Sequence, residues 1–229
     1  FAPDLERGYV LSSDGKLSEL ELASLRVTRS LQVGMNTREL TLSRDGATLA
    51  LSASGGRELV LVDVRSLSVK TRISTDEGTL LRVLALPEQF ACVLAEPARV
   101  WFVERSEAGA QFAVTRVLSA PDAPSDALLA GDDRQLLLAH GPQLARISSL
   151  ALTRLDAGFR SVDLQPLRSQ EQQRGNAQGL PKVAWTWAAG KLFVTQPWNK
   201  RLAVLDPESL RRVASVALPG SPASVVYSP

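Results

Sequence analysis

A seven-residue stretch, Asp63-Val64-Arg65-Ser66-Leu67-Ser68-Val69, is one of three related copies in this chain. An earlier copy occupies residues 21–27, at an offset of 42 residues (63 − 21), and a later copy occupies residues 206–213. Short alternating strands that recur at intervals of about 40–45 residues are typical of β-propeller blades. The repeat therefore predicts an all-β fold, a β-propeller built from four-stranded blades.

A second repeated element combines a tight turn with the strand that follows it. Ser43-Arg44-Asp45-Gly46 leads into an apolar strand, and residues 131–138 echo this pattern. Ser12-Ser13-Asp14-Gly15 forms a similar turn nearer the start of the chain. Asp-Gly between alternating apolar runs is a strong hairpin signal.

These turns and strands divide the chain into about five blades. The predicted blades span residues 9–33, 38–73, 80–118, 125–147 with a further strand after Leu150, and 183–218. The chain stops at Ser228-Pro229, in the middle of the turn motif, and an interrupted strand would leave open backbone edges. We therefore expect the blades to belong to a larger ring, although a closed five-bladed ring is the alternative.

Composition excludes several classes of function. The chain has 26 Lys and Arg residues against 24 Asp and Glu residues, which gives a net charge of +2. This balance predicts no overall positive potential that would attract nucleic acid. No apolar run approaches the roughly 20 residues needed for a transmembrane helix. The chain contains one cysteine, Cys92, and one histidine, His140, so neither a disulfide framework nor a Cys- or His-rich metal site is predicted.

The order of segments resembles that of a known family. The similarity is best at residues 38–73, 82–94, 124–128 and 180–222. These blades resemble bacterial propellers with the Tyr-Val-Thr-Asn type of repeat, and among them the eight-bladed haem d1 propellers, especially the NirF-type biosynthesis proteins. The resemblance implies one propeller domain over residues 1–229, incomplete at both ends, within an eight-bladed ring.

The resemblance also implies a function. Members of this type would bind haem d1 or its precursor in the periplasm while the cofactor of nitrite reductase matures. Other maturation proteins or nitrite reductase itself would be partners. The NirF-type proteins carry a Pro-His pair between a Leu-Pro pair and a Trp, but here the segment reads Leu180-Pro181-Lys182-Val183-Ala184-Trp185. We therefore expect no iron ligand from this segment.

Candidate binding residues follow from the geometry of a propeller, in which the first residues of each innermost strand face the central channel. Arg38, Arg82 and Lys182 occupy such positions. A d1-type tetrapyrrole carries several carboxylates, which Arg binds bidentately and Lys binds as a point charge. Asp126 would face the same channel and is the candidate acid or base. The alternative is that these arginines pair with a neighbouring acid such as Asp126.

Trp185 and Trp187 are candidates for a stacking surface. They lie two residues apart, so both point to the same face of a strand. Either ring could cover the face of a macrocycle, or both could pack between blades.

A second function remains open from the sequence. A non-catalytic propeller of the same repeat group would present its rim to a protein partner, and the absent histidine favours it. That hypothesis predicts basic residues engaged in ion pairs and an exposed apolar or aromatic patch. The fold alone cannot decide, because propellers host many functions.

Overall fold

The computed structural model describes residues 6–76, 78–106, 111–140, 146–163, 184–196, 200–222 and 224–225. Two compact units divide the chain, Phe1–Ala123 and Pro124–Pro229. Every sheet in both units is an antiparallel meander whose strands pair in chain order. The prediction of an all-β chain is confirmed.

The first unit contains one three-stranded and two four-stranded sheets, β1–β3, β4–β7 and β8–β11. Its strands are β1 (Arg7–Leu11), β2 (Lys16–Glu21), β3 (Arg26–Gln32), β4 (Leu40–Leu42), β5 (Thr48–Ala53), β6 (Glu58–Asp63), β7 (Ser68–Ser74), β8 (Leu80–Ala85), β9 (Gln89–Leu94), β10 (Arg99–Arg105) and β11 (Phe112–Ser119). These strands match the three blades predicted for this part of the chain.

The second unit contains two four-stranded sheets, β12–β15 and β16–β19. Its strands are β12 (Pro124–Ala130), β13 (Gln135–His140), β14 (Arg146–Ala151), β15 (Phe159–Asp163), β16 (Trp185–Ala188), β17 (Lys191–Gln196), β18 (Arg201–Leu205) and β19 (Arg212–Ala217). Helical structure among the described residues is limited to two three-residue 3-10 turns, Ser54–Gly56 and Leu155–Ala157, and neither could cross a membrane.

One strand differs from its predicted position. The sequence predicts that the strands of the fourth blade reach residue 147 before a further strand follows Leu150, but β14 runs from Arg146 to Ala151, and residues 143–145 lie outside the described part. The strand continues through two buried serines, Ser148 and Ser149, which the apolar pattern does not reveal. The further strand predicted after Leu150 is β15.

The repeated Asp-X-X-Ser-Leu stretch folds as a self-contained turn. Oδ1 of Asp63 accepts hydrogen bonds from the backbone N–H and the hydroxyl of Ser66 at 2.7 and 2.8 Å. Asp206 binds Ser209 in the same way, at 2.8 Å for both bonds. These bonds hold the pKa of both carboxyls below the usual range, with the Lys70 ammonium the largest influence on Asp63. The turn then brings Leu67 to a φ of 50°.

Apolar packing lies between neighbouring sheets of each unit. The three clusters include Leu17, Leu49 and Leu51 between the first and second sheets, Leu59, Leu61 and Phe90 between the second and third, and Leu137, Ile147 and Leu192 between the fourth and fifth. The repeat leucines Leu67 and Leu210 belong to these clusters, and Leu67 is only 7% exposed. The corresponding Leu25 is 77% exposed. Burial of the repeat leucine therefore depends on the sheet that faces it.

Polar contacts join the first two sheets as well. Arg29 Nε donates to Glu19 at 3.0 Å, and its Nη1 and Nη2 donate to the carbonyl oxygens of Arg65 and Val64 at 2.8 and 3.1 Å. One guanidinium thus links β3 to the Asp63 turn. The buried Glu19 carboxylate has a lowered pKa, chiefly because of its hydrogen bond from Arg29.

Candidate functional site

The first strands of two pairs of neighbouring sheets lie beside one another, one pair in each unit. In the first unit β4 contacts β8, and the hydroxyl of Thr41 donates to the carbonyl oxygen of Val83 at 2.6 Å. In the second unit β12 contacts β16. The beginnings of these strands carry the predicted site residues.

Arg82, on β8, forms an ion pair with Glu39, which precedes β4. The distance from Nη1 to Oε1 is 3.0 Å, and the arginine side chain is the more exposed partner. An ion pair with a neighbouring acid was the alternative expected for these arginines, and the acid is Glu39. Sequence reasoning missed Glu39, although its position beside Arg38 at a strand start was a usable signal.

Arg38 precedes the same strand as Glu39 but differs in its environment. Its backbone N–H donates to the carbonyl oxygen of Ser52 at 3.4 Å, while its side chain is exposed. Within the described ranges its guanidinium forms no ion pair. Arg38 is therefore the more open of the two guanidinium groups to an added anion. Lys182 lies outside the described residues.

Asp126 and Trp185 are in direct contact in the second unit. The indole Nε1–H of Trp185 donates to Oδ2 of Asp126 at 2.9 Å, and the backbone N–H of Ala127 donates to Oδ1 at 2.8 Å. The carboxylate thus fixes the orientation of the indole. Both Trp185 and Trp187 are half-buried and pack against the apolar cluster between the fourth and fifth sheets.

His140 ends β13 at the same end of the sheet as the start of β12. It is buried, and its Nε2 shares a hydrogen bond with the hydroxyl of Ser148 at 2.7 Å. Ser148 is linked in turn to the hydroxyl of Ser161 at 2.7 Å, on the exposed surface of β15. Ser148 and Ser161 were not singled out from the sequence, because only their spatial neighbours give them a role. Across the described ranges, no group of three or more His, Cys, Asp or Glu residues is placed to hold a metal.

Comparison with known proteins identifies the family. The family model for the cytochrome D1 heme domain matches residues 1–228. The protein NirF of Pseudomonas aeruginosa is 24% identical over all of this chain and 60% of its own length. The chain thus spans about 60% of the length of the curated NirF relatives that it matches.

Solved structures agree on the fold. The dihydro-heme d1 dehydrogenase NirN, solved in complex with DHE, superposes with a TM-score of 0.71 at 22% identity, covering 95% of this chain and 46% of NirN. The Cps50 (Swd1) β-propeller domain of Myceliophteria thermophila superposes with a TM-score of 0.54 at 14% identity, covering 96% of this chain and 86% of that domain. The β-propeller fold predicted from the repeat is confirmed. With its sheets built as propeller blades and its sequence matched from residue 1 to residue 228, the chain belongs to the cytochrome d1 haem domain family.

Proposed function

We propose that the protein to which this chain belongs binds a d1-type tetrapyrrole or its precursor and acts in haem d1 maturation in the periplasm. The observation that carries the proposal is the family match over residues 1–228, and the similarity to NirF supports it. In this proposal the five sheets belong to one propeller domain of an eight-bladed ring. The maturing nitrite reductase and other maturation proteins are its partners.

The described residues supply donors of the required chemistry. Guanidinium groups bind carboxylates through paired N–H donors, and Arg38 and Arg82 lie at the beginnings of adjacent first strands. Arg82 already pairs with Glu39, so a ligand carboxylate would share or replace that contact. We assign Arg38 the stronger contribution, because its side chain is exposed and unpaired within the described ranges. Lys182 remains a proposed third cation.

Trp185, Trp187 and Asp126 are proposed to act together. The indole Nε1–H of Trp185 donates a hydrogen bond to Asp126. This bond would fix the orientation of the indole ring on which a macrocycle could stack. The same carboxylate is the proposed acid or base. The Asp126 carboxylate accepts two hydrogen bonds, which fix its position. A proton acceptor in a fixed position is what general base catalysis requires.

An absorption titration tests this proposal. The purified protein is titrated with haem d1 and with its immediate precursor, and the Arg38→Ala, Arg82→Ala double variant is measured beside it. The double variant Arg26→Ala, Arg116→Ala removes two exposed arginines from outer strands and serves as the matched control. A shifted spectrum at micromolar ligand that is lost only in the first variant supports the proposal. No shift at saturating ligand overturns it.

A second candidate function is a scaffold that binds a protein partner. Arg82 is paired with Glu39, as the scaffold hypothesis predicts. The apolar side chain of Met35 is also exposed in the first unit, at 68%. The substitution Met35→Asp distinguishes the two functions, because it would weaken capture of a maturation protein or nitrite reductase while leaving the tetrapyrrole spectrum unchanged.

A further inference from the structure

A cavity of about 450 Å³ lies in the second unit and is not lined by Asp126, Trp185 or Trp187. It is formed by the start of β13, the end of β14, the connection to β15 and the turn between β18 and β19. Six of its lining residues carry the argument, namely Arg134, Arg154, Arg160, Gln135, Ser149 and Glu208. Arg134 and Gln135 follow the end of β12, whereas Asp126 lies near its beginning, so the cavity is at the opposite end of that strand.

The lining carries an excess of positive charge. Three arginines face one carboxylate, Glu208. Among the residues that the structure describes, none of the three guanidinium groups forms an ion pair. Like charges gathered in a concave site repel one another and raise the local concentration of counter-ions of opposite sign. The cavity is thus arranged to attract an anion.

Uncharged groups in the lining complement this charge. Ser149 is buried, and its hydroxyl can donate to an anion. Oε1 of Gln135 is buried and accepts no hydrogen bond from the described part of the chain. A buried acceptor left unpaired costs free energy. An oxyanion that retains an O–H, such as hydrogen phosphate, or a water bound beside an anion would satisfy it.

We propose that this cavity is a binding site for a small polyanion bearing phosphate or carboxylate groups. Its volume is in the range of small-molecule sites, about 300–1,000 Å³. The arginine fork matches both phosphate and carboxylate, because each presents two oxygens in one plane. Nucleic acid is a poorer match, because the whole chain has a net charge of only +2. The site does not depend on tetrapyrrole binding.

Calorimetric titration at low salt tests the proposal with two probes, inorganic pyrophosphate and citrate. We expect saturable binding with a Kd below about 1 mM, weakened by added salt. Each of Arg134→Gln, Arg154→Gln and Arg160→Gln should raise Kd about fivefold or more, because a charge-assisted contact is lost. Glu208→Gln should lower Kd, since it removes the one carboxylate of the lining.

The control is Arg212→Gln, which removes an exposed arginine from β19 and changes the net charge equally. Binding of pyrophosphate alone assigns phosphate chemistry, binding of citrate alone assigns carboxylate chemistry, and either result supports the site. No saturable binding of either probe overturns the proposal, and so does equal weakening by Arg212→Gln. Thermal melting checks the fold of each variant. If an arginine variant fails to fold, the opposite effect of Glu208→Gln still decides the test.

Discussion

The indole nitrogen of Trp185 donates a hydrogen bond to Oδ2 of Asp126 at 2.9 Å, across a separation of 59 residues in the chain. The two residues lie on β16 and β12, the first strands of neighbouring sheets. Asp126 therefore has a structural role whether or not it has a chemical one. The two roles can be separated by substitution.

Asp126→Ala should lower the free energy of unfolding by about 1–2 kcal/mol, because the indole N–H loses its acceptor. Asp126→Asn keeps an acceptor oxygen and should cost less in urea unfolding. If Asp126 is the acid or base, tetrapyrrole conversion will be lost in the Asn variant while its stability is nearly retained. Equal stability losses in the two variants would contradict the structural role.

The repeat leucines offer a matched pair of substitutions. Leu67→Ala should cost about 2–4 kcal/mol, because it leaves a cavity in the cluster between the first two sheets. Leu25 occupies the same place in the repeat, but its side chain is exposed. Leu25→Ala should therefore change the free energy of unfolding by less than about 0.5 kcal/mol. Thermal or urea unfolding measures both. Similar losses would show that Leu25 is covered in solution.

Gly15 is required by its turn. Its φ is +86°, and a Cβ there would overlap the carbonyl oxygen of Gly34. Gly15→Ala should therefore cost more than about 2 kcal/mol, since backbone must move. Gly55 has a φ of +71°, but no atom lies near the position that a Cβ would take. Gly55→Ala should therefore lower the free energy of unfolding by only about 1 kcal/mol, the energy of the left-handed backbone conformation for alanine. Chemical denaturation compares the two, and a smaller loss for Gly15→Ala would refute the close approach.

The Glu19–Arg29 pair should make stability depend on pH. The hydrogen bond from Arg29 holds the pKa of Glu19 below its ordinary value of 4.5. Folding is therefore favoured by ionised Glu19 above pH 4.5, and this contribution is lost as the pH falls through the lowered value. Glu19→Gln should cost about 1–2 kcal/mol at pH 7. Urea unfolding from pH 7 to pH 3 should show that difference shrinking, and a constant difference would exclude the linkage.

Cys92 should be unreactive in the folded protein. Burial raises the pKa of its thiol to about 12, and reagents cannot reach the side chain. A thiol-specific chromogenic reagent should label less than stoichiometrically over minutes at pH 8 and label fully in denaturant. Rapid stoichiometric labelling without denaturant would contradict the buried position.

The fold was predictable because its signals are local. The Asp-Gly turns and the Asp63 motif define their own geometry within a few residues, and strands of alternating residues connect them. The contacts of the site were not predictable in the same way. The position of Glu39 at a strand start marks it as a candidate, but its pairing with Arg82, 43 residues away, depends on how the two sheets pack. The strand β14 extends beyond its predicted end through Ser148, whose hydroxyl shares hydrogen bonds with His140 and Ser161 on the two neighbouring strands.

The turn that begins at Asp63 has a consequence for how such a chain can change. The carboxylate closes the turn on its own serine, and the turn then places a leucine in the neighbouring sheet. The five residues from Asp63 to Leu67 form the turn and also supply the leucine that packs between two sheets. A gene duplication that copies or removes a whole sheet would therefore carry these packing residues with it. Tandem duplication could therefore lengthen this protein one sheet at a time without redesign of the residues already present.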